Sequence, residues 1–152
     1  MLLDDIYARD APTDDAIRFS FAFARIEFAL KSTGFFAVGG SREAIPNWDQ
    51  FATSIDDIEE AATGDLAEAI SYMYRKPPMA ERVRDRTVGF EPAIPAVRSN
   101  VELFRMIRRV RNNLFHGGKV PYRDRDDELV RSSLSILRAV VEKHDIIATH
   151  LA

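Results

Sequence analysis

Apolar positions recur along this chain mainly at helical spacing. The stretch TDDAIRFSFAFARIEFALKSTGFF offers Thr13 as an N-cap with acids in the first turn. Phe19, Phe23, Ile26 and Leu30 then form one stripe, and Phe21 and Phe28 fall on a second. A helix apolar on two sides is either central to a core or shared with a partner subunit. Gly34 is its natural stop. After a short Gly-rich loop and Pro46, NWDQFATSI puts Asn47 three residues before Gln50, a spacing like a capping box, with Trp48, Phe51 and Ile55 on one face. GDLAEAISYMYRK is the next expected helix, with Leu66, Ile70 and Met73 or Tyr74 inward, ended by Pro77 and Pro78.

Residues 75–97 hold four of the seven prolines and are expected to form a loop. SNVELFRMIRRVRNNLFH follows, capped by Ser99 or Asn100, with Val101, Phe104, Ile107 (or Arg108), Val110 and Leu114 (or Phe115) as its stripe. Gly117 and Gly118 suit its termination. The last expected helix runs from about Asp126 to Ile147, with Leu129 or Val130, Ser133, Leu134, Leu137, Val140 or Val141, and His144 on one face. No segment shows sustained alternation of period two. The expectation is a single all-α domain over residues 1–152, a four- to five-helix up-and-down bundle.

Composition adds little to the fold but narrows the chemistry. The chain has 152 residues and no cysteine, so neither disulfides nor a thiol nucleophile enter. The start, MLLDDIYARD, is acidic where a signal peptide is basic, and no apolar run approaches a membrane span, so a soluble cytoplasmic protein away from membranes is expected. The net charge of -3 is unevenly spread. From Arg75 to Arg111 there are ten basic residues against four acids, about +6, which leaves about -9 elsewhere. Such a segment is either a solvated surface or an anion-binding face, with nucleic acid the obvious partner.

One stretch resists the helical pattern. VRNNLFHGGK places two consecutive asparagines before a helix end, although Asn costs roughly half a kcal/mol per helical position relative to Ala. Arg108, Asn112 and His116 lie at successive four-residue steps, hence on one face. Arg111 is about 140° from His116 around an ideal helix, so the two share a groove only if it lies between their faces or a second chain closes it. Histidine exchanges protons near neutral pH, a guanidinium stabilises a negative phosphorus centre, and an amide orients either. This set suits phosphodiester cleavage without a metal, though each residue also has an ordinary use at a helix end.

Arg111, Asn112 and His116, in RNNLFH, resemble the R-N-x-x-x-H signature of the HEPN superfamily, and FARIEFALKSTGF resembles the first long helix of those domains. The resemblance implies a HEPN-like helical bundle that dimerises with its two motifs facing across a cleft. It further implies a metal-independent endoribonuclease with a toxin, phage-defence or RNA-processing role and no cofactor. His116 would be the acid–base group, Arg111 would stabilise the transition state, and Asn112 would position the histidine or phosphate. Arg108 and Lys119 are the candidate substrate contacts. RNA, a second copy of the chain, and an antitoxin or defence-system protein are the implied partners. One toxin branch carries a modified Tyr two residues after the His; Gly118 stands there, so that form of regulation is not implied. The alternative is a catalytically inactive HEPN-like module for dimerisation or for binding RNA or protein.

Smaller signals have ordinary readings. Glu27 is four residues before Lys31, the spacing of a surface ion pair, with a supporting contact to the motif as the alternative. Asp56, Asp57, Glu59 and Glu60 read as a solvated acidic face rather than metal ligands. His144 and His150, six apart, suit no metal site on a helix, and VGGSRE reads as a flexible turn. Tyr72, Tyr74 and Phe90 flank the basic segment and suit either base stacking or core packing.

Overall fold

A computed structural model describes residues 2–115 and 124–152. In chain order it contains α1 (Leu2–Asp10), α2 (Asp14–Ser32), β1 (Phe36–Val38), β2 (Ala44–Pro46), α3 (Trp48–Ser54), α4 (Gly64–Arg75), β3 (Ala80–Arg84), β4 (Thr87–Glu91), α5 (Asn100–Phe115), α6 (Asp124–Lys143) and α7 (Asp145–Leu151). The expected all-α bundle is therefore corrected. The described residues form seven helices and two antiparallel hairpins, a mixed architecture dominated by helix.

The capping chemistry lies where the residues suggest. Thr13 Oγ1 accepts from Ala16 N at 3.2 Å, Asn47 Oδ1 from Gln50 N at 3.0 Å, and Ser99 Oγ from Glu102 N at 3.1 Å, each satisfying an otherwise orphaned amide. Gly34, at φ 93°, turns the chain out of α2 so that Phe35 N bonds back to the Leu30 carbonyl at 2.9 Å.

The hairpins escaped the periodicity for two different reasons. β1 and β2 are three residues each, paired Phe36↔Pro46 to Val38↔Ala44, too short to display an alternation. β3 and β4 pair from Ala80↔Glu91 to Arg84↔Thr87, inside the stretch expected to be loop. Their four flanking prolines lie outside the strands, and Val83 and Val88 are exposed, so no inward face stands out from an outward one. Asp85 and Arg86 form the turn with φ of 48° and 63°, the conformation of a two-residue type I′ hairpin without its usual glycine.

The last expected helix is two: His144 leaves helical geometry at φ -120° and ψ 92° and stands at the N-cap position of α7. Its ring packs edge-on to Phe51 with centroids 5.7 Å apart. N-terminal α1 is a further element that the apolar spacing did not predict.

The core forms where α2, α4, α5 and α6 meet, with α3 packed on α5 and α7 on α2 and α6. An aromatic chain runs through it. Phe19 meets Phe23, Phe23 stacks on Trp48 at 5.2 Å, Trp48 and Phe51 both meet Phe104, and Phe35 meets Phe51 edge-on. Such pairs are worth about 0.5–1.5 kcal/mol each beyond the area they bury. Buried Asn100, the first residue of α5, ties the loop after α3 to this core. Its Oδ1 accepts from Ile58 N at 2.9 Å, and its Nδ2 donates to the Asp56 carbonyl at 2.9 Å. The two expected stripes of α2 separate cleanly: Phe19, Phe23, Ile26 and Leu30 are buried, whereas Phe21 is 71% and Phe28 52% exposed. No helix among the described residues is long and apolar enough to cross a membrane.

Candidate functional site

The C-terminal half of α5 presents different residues to two sides. On one side, β3 lies beside the helix and encloses a cleft of about 420 Å³. Ala80, Glu81 and Arg82 form one wall, and Arg105, Arg108, Arg109, Asn112 and Asn113 the other. Arg108 and Asn112, expected on one helix row, do share this cleft.

Arg111 is absent from the lining of that cleft. Its guanidinium carbon lies 5.6 Å from the centroid of Phe23 and 5.1 Å from that of Phe115, cation–π contacts that hold it against the α2 side. Its Nη1 nevertheless donates to Asn112 Oδ1 at 3.1 Å. Arg111 and Asn112 are thus brought together, and Asn112 links the two sides of the helix. Both sit at accessible positions, Arg111 half-buried and Asn112 exposed. His116 and Lys119, with the glycines expected to end the helix, lie outside the described residues.

The neighbouring asparagine has a different task. Asn113 is buried, and its Nδ2 donates to the Met79 carbonyl at 2.8 Å. This bond anchors the start of β3 to α5 and so sets the width of the cleft. Of the two consecutive asparagines, one is structural and the other is presented to solvent.

The arginines of the cleft differ in how they are compensated. Arg108 Nη2 donates to Asp49 Oδ1 at 3.0 Å, while its buried Nε meets no acceptor among the described residues. Arg105 Nη1 pairs with Glu102 Oε2 at 3.2 Å and its Nη2 lies 3.7 Å from Asp49 Oδ2. Arg82 Nη1 donates to the Glu81 carbonyl at 2.9 Å, a neutral acceptor. Arg109 makes no hydrogen bond or ion pair among the described residues. Burial holds its pKa below the usual guanidinium value; Glu102 works against that shift, and Arg82 and Arg105 reinforce it. A guanidinium so placed stays protonated at any physiological pH.

Several minor expectations resolve into structure. Glu27 Oε1 accepts from Trp48 Nε1 at 3.0 Å, so this carboxylate fastens α3 to α2, a role the i,i+4 spacing to Lys31 did not suggest. Asp57 Oδ1 accepts from the amides of Glu59 and Glu60, and Glu59 pairs with Arg98, local and surface uses for the acidic run. The Tyr74 hydroxyl donates to the Ser99 carbonyl at 3.2 Å and accepts from Ser99 N at 3.1 Å, with Arg98 over its ring at 4.3 Å. That ring is part of the packing. Tyr72 likewise packs against the core.

Residue spacing alone missed Arg82, Arg105, Arg109 and Asn113 as parts of one surface. Arg105, Arg108 and Arg109 carry a readable i, i+3, i+4 signal on α5. Arg82 carries none, because only the pairing of β3 with β4 brings it there. No protein-family model, curated protein sequence or solved structure matches this chain.

Proposed function

We propose that the protein is a metal-independent endoribonuclease of the HEPN type, acting as a homodimer with a composite site built from Arg111, Asn112 and His116. The observation that carries this reading is the Arg111–Asn112 hydrogen bond on the accessible last turn of α5. It joins the first two residues of the motif immediately before the segment that holds the third.

The reaction is a transesterification. The ribose 2′-oxygen attacks the adjacent phosphorus, giving up its proton to a base, and the bond from phosphorus to the 5′-oxygen breaks as that oxygen is protonated. The products are a 2′,3′-cyclic phosphate and a 5′-hydroxyl. His116 serves as the acid–base group. Arg111 neutralises charge on the phosphorus oxygens, and Asn112 orients one of its partners. Arg108 and Lys119 contact RNA beyond the scissile bond, and the basic segment attracts the strand, so affinity falls steeply with salt.

A dimer is favoured by apolar side chains left exposed on α2 and by Phe115 next to Arg111. Ile17, Phe21 and Phe28 on α2 are all more than half exposed, and Phe115 on α5 is 60% exposed. A two-fold pairing that sets the Phe115 and Arg111 side of α5 against its copy would answer the angular separation of Arg111 from His116 on a single helix. A toxin, defence or RNA-processing role, with an antitoxin or defence protein as a partner, accompanies this reading.

The second reading, an inactive HEPN-like binding module, draws on the engagement of Arg111 with two aromatic rings, a structural use for that guanidinium. One experiment separates them. Wild type and His116→Ala are incubated with total RNA in excess EDTA, and product ends are analysed. Cleavage by wild type alone, leaving cyclic phosphates, supports the nuclease. Equal cleavage by both refutes the role of His116, and cleavage by neither favours the binding module.

A further inference from the structure

The β3–α5 cleft has properties that the nuclease reading does not use. Four arginines line it: Arg82, Arg105, Arg108 and Arg109. Their neighbouring acids are unevenly distributed. Asp49 bonds Arg108 and lies near Arg105, and Glu102 pairs with Arg105. Among the described residues Arg82 bonds a backbone carbonyl alone and Arg109 bonds nothing. Among the described residues, two arginines of one cleft thus have no hydrogen-bonded carboxylate, and Glu81, itself engaged, is the acid in the lining.

We propose that this cleft is a phosphate-binding site, in which Arg82 from the hairpin and Arg109 from the helix grip the anion from opposite walls. Arg108 and the exposed amide of Asn112 complete the rim. Three features select phosphate over other ligands. Guanidinium forks match phosphate oxygens in paired, charge-assisted hydrogen bonds. Among the described residues the lining is polar and basic, with Ala80 its one apolar side chain and no aromatic ring. Burial of Arg109, with Glu102 only partly offsetting that burial and the nearby charges of Arg82 and Arg105, carries an electrostatic cost that a bound anion reduces. The grip of Arg82 and Arg109 lies apart from Arg111, although the rim shares Arg108 and Asn112 with the proposed nuclease surface, and it stands whether or not the protein cleaves RNA.

Two sources supply such a group: the backbone of an RNA strand, or a free phosphorylated small molecule. The test uses inorganic pyrophosphate by titration calorimetry and a fluorescent 2′-O-methyl oligouridylate by anisotropy. The methylated strand has no 2′-hydroxyl nucleophile, so cleavage plays no part in the result. Arg82→Gln, on the exposed hairpin, and Arg109→Gln should each weaken binding about tenfold or more, the loss expected for a hydrogen bond to a charged group. Arg84→Gln serves as the control, because Arg84 is on the same strand but pairs with Glu91 outside the cleft lining.

Loss of both probes in the two cleft variants identifies backbone phosphate as a ligand, and the salt dependence of strand binding should flatten in step. Loss of pyrophosphate alone supports the site with a free phosphorylated ligand. Loss of the strand alone supports it with RNA. If neither probe binds wild type, or both bind Arg82→Gln and Arg109→Gln as they bind wild type, the proposal fails.

Discussion

Alanine at Asn112 and alanine at Asn113 should move stability in opposite directions, although the residues are adjacent and identical. Asn113 is buried and its amide donates to the Met79 carbonyl at 2.8 Å. Removing it forfeits a net hydrogen bond, about 1 kcal/mol, and leaves that carbonyl poorly satisfied, roughly 1 kcal/mol more. The better helix propensity of alanine returns roughly half a kcal/mol. The expected destabilisation is about 1–2 kcal/mol, which lowers Tm by about 2–8 °C in a chain of this size. Asn112 is exposed and, among the described residues, bonds the Arg111 guanidinium at 3.1 Å, a contact near the surface that water replaces at little cost. Its alanine variant gains the helix propensity and should be neutral or stabilised by up to about half a kcal/mol. Urea unfolding followed by circular dichroism, with both variants beside wild type, measures the difference. If Asn112→Ala proves the more destabilised, the assignment of one asparagine to the hairpin anchor and the other to the surface is wrong.

Three further outcomes are expected. Trp48→Phe should cost about 1.5–3 kcal/mol by leaving the Glu27 carboxylate without its indole donor, whereas Glu27→Gln keeps an acceptor and should cost less; their urea midpoints give the order. Burial, the largest influence on Tyr74, raises its pKa above 10.0, so the folded state favours the neutral phenol. That contribution is complete below the unfolded value and is lost as pH rises through the folded one, so Tm should fall above about pH 10 more steeply in wild type than in Tyr74→Phe. If α2 forms a dimer interface, Phe21→Glu should yield a monomer with unchanged helical signal in light scattering, and a monomeric wild type at micromolar concentration would refute that interface.

The helices were readable wherever apolar spacing and a capping residue agreed. Thr13, Asn47 and Ser99 each mark the start of a helix, and the buried stripe of α2 is the one its spacing indicates. Elements failed to show where local signals were weak or contrary. The turn of the β3–β4 hairpin uses Asp85 and Arg86 at positive φ, without the glycine that announces such turns, and its strands expose both faces. The division of α6 from α7 at His144 leaves no breaker residue in the sequence, since histidine is neither proline nor glycine.

At the candidate site, the motif Arg111-Asn112-His116 and the row of Arg108 with Asn112 are properties of order and helical pitch, and they need no tertiary information. A chain alone also dictates its lack of cysteine and the concentration of positive charge between Arg75 and Arg111. Which arginines share a cleft was decided only by folding. Arg82 reaches Arg109 because β3 pairs with β4 and Asn113 holds that hairpin to α5 across 34 positions of sequence. The partition of Asn112 from Asn113 has the same origin: consecutive helical residues point about 100° apart, and only the position of the hairpin determines which of them is buried.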